Sequence, residues 1–154
     1  MNSVTNIYIT DDVSVITIDN MPADIGAMAE LFCNLSSADV NVDMISQSAA
    51  QSGCVAVSFT VSDSDFAKSM AVMGDIQLQY DKLNVRVNAG NIKLSVYGEP
   101  MRETPGVAAK LFSALKQAGV NIKQVSTSET DISVLIEAKD GDGAVDAVNA
   151  AFEL

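Results

Sequence analysis

Two strand-to-helix turns carry the residues of this 154-residue chain best suited to chemistry, Met21 to Gly26 and Met101 to Gly106. Each ends in a glycine that opens a helix, and the free N–H groups and positive dipole end of a helix start favour a carboxylate. After each helix comes Val40-Asn41-Val42-Asp43 or Val120-Asn121-Ile122-Lys123, at the start of the next strand. These segments are expected to lie close to the turns at one edge of a sheet. Helix N–H groups, edge-strand backbone and an aspartate suit a ligand that bears both a carboxylate and an ammonium, which is an amino acid. The same glycines and asparagines would serve equally well as plain turn formers, and spacing alone does not separate the two readings.

Other chemistry is thinly provided. The chain has no histidine, the commonest general base and metal ligand. It has no G-x-x-x-x-G-K-[ST] loop and no G-x-G-x-x-G fingerprint. Asp63/Asp65 and Asp140/Asp142 resemble fragments of a calcium loop but lack the ligands that must follow, so they read as caps and turns. Ser126-Thr127-Ser128-Glu129 has no base beside it and reads as polar strand-end residues. No catalytic residue, metal or cofactor is expected. A net charge of −11 with no run of Lys or Arg argues against nucleic acid and anionic membranes as partners. Cys33 and Cys54 do not make a disulfide framework. No stretch approaches a membrane span and the N-terminus lacks a secretion signal, so a cytoplasmic location is expected.

The elements that must position the turns occur twice. Residues 26–47 and 106–127 share Gly26/Gly106, Leu31/Leu111, Phe32/Phe112, Leu35/Leu115, Ala38/Ala118, Asn41/Asn121 and Ser46/Ser126, all at one offset (106 − 26 = 80). That period is too long for a solenoid and marks two copies of one small domain. In the first copy, 13–18 reads as a strand, and Met28, Leu31, Phe32 and Leu35 make the buried stripe of a helix. Asp39 stands where the second copy has Gly119, a position suited to a left-handed helix end. Strands at 42–48 and 54–61, a helix capped by Asp63-Ser64-Asp65, and a strand at 83–88 complete β-α-β-β-α-β, the ferredoxin-like plan. The second copy offers strands at 92–97, 121–127 and 131–137, then a last helix from Gly143 to Phe152 capped by Asp140 to Asp142. It is one strand short. The unassigned segment Val4 to Thr10 is expected to supply it, which would make the first copy an insertion within the second.

The stretches Gly26 to Gln47, VSFTV at 57–61 and GEPMRETPGVAAKLFSALKQAGVNIKQVSTSETDISVLIE at 98–137, with the terminal AVNAAFEL, resemble the paired ACT domains at the C-terminus of aspartokinase. The resemblance covers essentially the whole chain. It implies an α+β fold of two ferredoxin-like βαββαβ ACT domains, antiparallel sheets with helices on one face, at 11–90 and at 3–10 plus 91–154. It implies an effector site lined by Met21, Asp24, Ile25, Gly26, Asn41, Val42, Asp43 and Gln47. Backbone groups near Gly26 would hold the α-carboxylate and Asp43 or Asp24 the ammonium. Thr104, Gly106, Asn121 and Ile122 of the second copy would pack across an interface and complete a site. The implied effector is L-lysine, with L-threonine as a second candidate, acting in feedback inhibition of aspartate kinase. The implied partners are a kinase domain or catalytic subunit and further copies of this chain, as a homodimer or larger. The alternative is a ligand-independent assembly module.

Two departures from the family pattern stand out. Ala23-Asp24-Ile25-Gly26 replaces Asp-Arg-Pro-Gly, and Cys54-Val55-Ala56 replaces Thr-Thr-Asp. The Lys-Phe-Gly-Gly-Thr-Ser opening of the kinase domain is absent, so a regulatory fragment and a separate regulatory subunit are both expected possibilities.

Overall fold

The structure is a computed structural model that describes residues 2–154. In chain order its elements are β1 (Asn6–Pro22), α1 (Ile25–Ser37), β2 (Val42–Gln47), β3 (Cys54–Ser62), α2 (Phe66–Gln79), β4 (Asn84–Tyr97), α3 (Val107–Gln117), β5 (Gln124–Thr127), β6 (Asp131–Glu137) and α4 (Gly141–Phe152). The chain divides into two compact units, Asp12–Ala89 and the segment ending at Asp11 taken with Gly90–Leu154.

Two pairs of expected strands turn out to be continuous. Residues 6–10 and 13–18 belong to the single β1, and 84–88 and 92–97 to the single β4; Val4, Thr5 and Leu83 lie just before these strands. Each long strand passes a left-handed residue where the unit changes, Asp12 at φ 57° and Gly90 at φ 78°. Glycine adopts such a conformation without steric cost, and aspartate adopts it more readily than most other residue types. That polar punctuation is what made one strand read as two.

Unit Asp12–Ala89 has strand order β2-β3-β1-β4. Met21 pairs with Val55 and Pro22 with Cys54 across β1 and β3, while β2 runs antiparallel to β3 from Val42↔Val61 to Gln47↔Val57. Inward residues of the strands, Ile16, Ile18, Val57 and Phe59, meet Leu31 and Leu35 of α1 and Met73 and Ile76 of α2 in one core. Phe32 packs edge-on against the Phe59 ring with centroids 5.7 Å apart. α1 begins with Asp24, whose carboxylate accepts from the Gly26 N–H at 2.8 Å. It ends through Asp39 at φ 60°, with Val40 N–H donating to the Leu35 carbonyl at 3.0 Å. The cap of the next helix differs from expectation. Asp63–Asp65 forms a 3-10 turn capped by the Ser62 hydroxyl, and Asp65 makes no side-chain cap bond to α2. Asp65 instead pairs with Lys68 at 3.1 Å and accepts from the Asn41 N–H at 3.4 Å. These contacts hold its carboxyl below the usual value, the Lys68 hydrogen bond contributing most.

The other unit has strand order β1-β4-β6-β5. β4 and β6 pair from Asn91↔Glu137 to Tyr97↔Asp131, and the Thr5 N–H donates to the Tyr97 carbonyl at 2.8 Å. Val4, fully buried, joins Leu94, Val96, Leu111, Leu115, Ile136 and Phe152 in the second core. Here α3 ends through Gly119 at φ 71°, with Val120 N–H on the Leu115 carbonyl at 2.9 Å, so the same helix end is built in both copies. Two boundaries are corrected. β5 begins at Gln124 rather than 121, and α4 begins at Gly141, without a side-chain cap from Asp140. A Cβ at Gly141 would meet Ile92 Cδ1 at 2.7 Å, so the tip of that side chain would have to turn aside.

Both units are thus ferredoxin-like, four antiparallel strands with two helices, and each places a strand-to-helix turn at one sheet end. No helix among the described residues is long and apolar enough to cross a membrane.

Candidate binding site

Each turn borders a cavity. In unit Asp12–Ala89 a cavity of about 320 Å³ is lined by Ala23, Asp24, Ile25 and Met28 at the start of α1, with Gln47, Ala50 and Val55 opposite. Gln47 reaches it because β2 ends beside Val57, close to the Met21↔Val55 end of β1. The structure therefore brings Asp24, Ile25 and Gln47 together. Gly26 lies two residues after Asp24, but its N–H is already taken by the Asp24 carboxylate. Met21 is fully buried and contributes to the core rather than to the cavity wall.

Asn41, Val42 and Asp43 sit elsewhere. Val42 opposes Val61 whereas Gln47 opposes Val57, and five steps along β2 at about 3.3 Å each put the two ends roughly 16 Å apart. Asn41 spends its N–H on Asp65. Within this unit these residues do not meet the α1 turn.

The second unit holds a larger cavity, about 580 Å³, between the turn Met101–Ala108 and the β5–β6 hairpin. Thr104 and Gly106 line it; Asn121 and Ile122 do not, and Ile122 packs against the second core. Three side chains give this cavity both signs of charge, namely Arg102, Glu103 and Glu129. Arg102 Nη1 lies 3.1 Å from Glu129 Oε2, and its Nε lies 3.6 Å from Glu99 Oε2. Glu99 also accepts from the Tyr97 hydroxyl at 2.8 Å, and this bond is the main cause that pushes the Tyr97 phenol above its usual value. Val107, Ala108 and Ile132 supply apolar wall. Thr104 turns its hydroxyl back to donate to the Pro100 carbonyl at 2.7 Å, and α3 starts at Gly106 with no side-chain cap. Gly106 stands at φ 89°, a conformation that glycine adopts without steric cost.

The two cavities occupy matching places in the repeat: Ala23/Glu103, Asp24/Thr104, Met28/Ala108 and Gln47/Thr127 each differ by 80. Arg102, Glu103 and Glu129, which line the second cavity, are not among the residues expected from the sequence. Their signal was divergence rather than likeness, since the first copy has Pro22, Ala23 and Ala49 at the same places. A third cavity, about 390 Å³, lies on the other side of the same turn, with Asn2, Ser3, Thr104, Lys110 and Phe152 on its walls. Lys110 there sits over the Phe152 ring, 4.9 Å from its centroid. No group of three or more acidic or cysteine side chains placed to hold a metal occurs among the described residues.

What the second cavity can do chemically is grip a small zwitterion. Its guanidinium suits a carboxylate, its glutamates suit an ammonium, and its apolar wall suits a short carbon chain.

Comparison with known proteins gives the family. The ACT domain family model matches residues 14–75 and again 94–152. The chain is 32% identical over 151 residues to the aspartokinase of Bacillus sp. (strain MGA3), covering 98% of this chain and 37% of that protein. Among solved structures it is similar to the ligand-free regulatory subunit of aspartate kinase from Thermus thermophilus. That match has a TM-score of 0.89 and 29% identity, and covers 97% of this chain and 99% of that one. It is similar also to the aspartokinase alpha and beta subunits, with a TM-score of 0.88 and 31% identity over 98% and 99% of the two chains. The chain spans a little over a third of the length of the curated relatives it matches.

Proposed function

We propose that this chain, which belongs to the ACT domain family and matches the regulatory region of aspartate kinases, senses an amino acid and transmits feedback inhibition to an aspartate kinase, a phosphotransferase held in the same or a partner chain in the cytoplasm. The observation that carries this reading is the cavity beside Met101–Ala108, where one guanidinium and two glutamates face an apolar wall. L-lysine is the favoured effector and L-threonine the second. The charged side chains on the two turn cavities are mostly acidic (Asp24, Glu103 and Glu129 against Arg102), which favours a ligand with a second ammonium. An effector acts only through a difference in affinity between two arrangements of the protein, so binding must favour the inhibited one.

A melting screen over the amino acids tests the proposal. Saturation at about 100 times the dissociation constant would add roughly 2.7 kcal/mol of stability, easily visible by calorimetry. No shift with any amino acid would remove the sensing role.

The second reading is a ligand-independent assembly module. One observation favours it: Ile45 and Val125, again 80 apart, are 47% and 40% exposed on β2 and β5, the strands that end the order in each unit. Exposed apolar edge strands invite pairing with another copy. Sedimentation as a dimer or larger fits both readings. Indifference of the assembly to every amino acid would leave only the second.

A further inference from the structure

The carboxylates around the second cavity are not equivalent. Arg102 is held from two sides, with Glu129 Oε2 at 3.1 Å from its Nη1 and Glu99 Oε2 at 3.6 Å from its Nε. Glu103 lines the same cavity, and no hydrogen bond or ion pair among the described residues involves its side chain. The cavity thus offers one unengaged carboxylate and no unengaged guanidinium. A ligand carboxylate reaches Arg102 by taking the place of Glu129.

Little opposes that exchange. Glu129 and Arg102 are 76% and 56% exposed, and a pair so open to water is held only weakly. The guanidinium fork has donors enough to keep Glu99 on its Nε side while Nη1 changes partner. The β5–β6 turn does not depend on the pair either. Its backbone is fixed by the Gly98 N–H on the Thr130 carbonyl and the Ser128 N–H on the Asp131 carbonyl, both at 2.9 Å.

The exchange also alters the charge count. Arg102, Glu103 and Glu129 are the only charged side chains on the cavity wall. With Glu129 on Arg102, Glu103 alone lacks a counter-charge. Once a ligand carboxylate holds Arg102, Glu129 joins Glu103 in lacking one. A ligand with a single ammonium then leaves one glutamate uncompensated, whereas a ligand with two ammoniums matches both.

We propose that Glu129 is a specificity-determining residue: it occupies Arg102 until the ligand's α-carboxylate displaces it, and then shares the ligand's ammonium groups with Glu103, so that the cavity selects a diamino acid over a monoamino acid. This rests on the amino-acid-sensing reading and deepens it by saying which group of the ligand each side chain takes.

Titration calorimetry of the full chain tests it with L-lysine, with L-norleucine, which is lysine without its second ammonium, and with cadaverine, which is lysine without its carboxylate. In the wild type lysine should bind at least about tenfold tighter than either, the difference expected for one charge-assisted contact. Glu129→Gln removes the internal competitor and one of the two ammonium acceptors. Norleucine should therefore bind about two- to fivefold tighter to it, and lysine's advantage over norleucine should shrink at least as much. Arg102→Gln should weaken lysine at least about tenfold, and Arg102→Lys, which keeps the charge, should weaken it less. Where the isotherm shows more than one event, the one that Arg102→Gln weakens is the one read. Far-ultraviolet circular dichroism confirms that each variant is folded. Norleucine binding that is no tighter or still undetectable in Glu129→Gln, an unchanged preference for lysine in that variant, cadaverine binding as tight as lysine binding, or no event weakened in Arg102→Gln would each overturn the assignment while leaving amino-acid sensing intact. Absence of any amino-acid binding to the wild type, with L-threonine titrated as well, would instead overturn the sensing reading, and this assignment with it.

Discussion

Gly98→Ala should loosen the unit that contains Gly90–Leu154 by detaching the chain's N-terminal segment from it. Gly98 has φ −174°, extended backbone that alanine also adopts, so the expected cost is not strain. It is space. A Cβ at Gly98 would lie 2.0 Å from the Ser3 carbonyl oxygen and 3.0 Å from Val4 Cα, both backbone atoms that no side-chain rotation can clear. Moving that backbone withdraws Val4, fully buried in the second core, and stretches the Thr5 N–H bond to the Tyr97 carbonyl. Burial of a valine side chain stabilises by about 1.5–3 kcal/mol and one such hydrogen bond by about 0.5–1.5 kcal/mol. The sum, roughly 2–4 kcal/mol, is a large part of a small domain's total stability. Native-state hydrogen exchange reads it residue by residue. Amides around Leu94, Val96 and Ile136 should lose protection, and those around Ile16, Ile18 and Val57 should lose much less. Deleting residues 1–10 should give the same pattern. Gly143→Ala, in α4 with nothing within 4 Å of its Cβ, is the opposite control and should stabilise by roughly 1 kcal/mol. Loss concentrated at Ile16 and Val57, or unchanged protection throughout, would falsify the view that the N-terminal segment completes the second domain.

The two matched helix ends should respond in opposite directions. Asp39→Gly should stabilise by about 1 kcal/mol, because aspartate at φ 60° bears the left-handed cost that glycine avoids; Gly119→Ala at φ 71° should lose a similar amount in urea unfolding. Acid should destabilise the Asp12–Ala89 unit through Asp19 and Asp65, whose carboxyls Arg86 and Lys68 hold below their usual value. A lowered folded value means a contribution that is present above the unfolded value of about 3.9 and lost as pH falls toward the folded one. Stability should therefore drop below about pH 4, less steeply in the double variant Asp19→Asn/Asp65→Asn; an identical acid profile would remove these pairs as the cause.

Core and topology were legible in the sequence because they rest on periodicity. The i, i+3, i+4, i+7 stripes at Leu31 and Leu35 and at Leu111 and Leu115 are buried in both units. Strand limits were less legible. Asp12 and Gly90 read as breaks between strands, yet each is a single left-handed residue within a continuous one, a choice made by pairing with neighbours far along the chain. The helix caps failed for a related reason. Asp63, Asp65, Asp140 and Asp142 have the right chemistry, but Asp65 and Asp140 close short 3-10 turns with ψ near 0° rather than the extended backbone of a capping residue, and neither makes a cap bond.

The site was the least legible part, and the duplication explains why. Residues that the two copies share are those that any such fold needs. Asn41 and Asn121, alike in both, looked like ligand groups, but neither lines a turn cavity and Asn41 gives its N–H to Asp65. Gly26 and Gly106 are shared for the tight start of a helix. The opposite kind of position lies at or beside the cavity walls, where Pro22, Ala23 and Ala49 of one copy correspond in the repeat to Arg102, Glu103 and Glu129 of the other, and Asp24 corresponds to Thr104. Two copies that bound the same group in the same way would have had no physical reason to differ there in charge while agreeing in their cores. The charges that should set this protein's response are therefore to be sought where its two halves disagree.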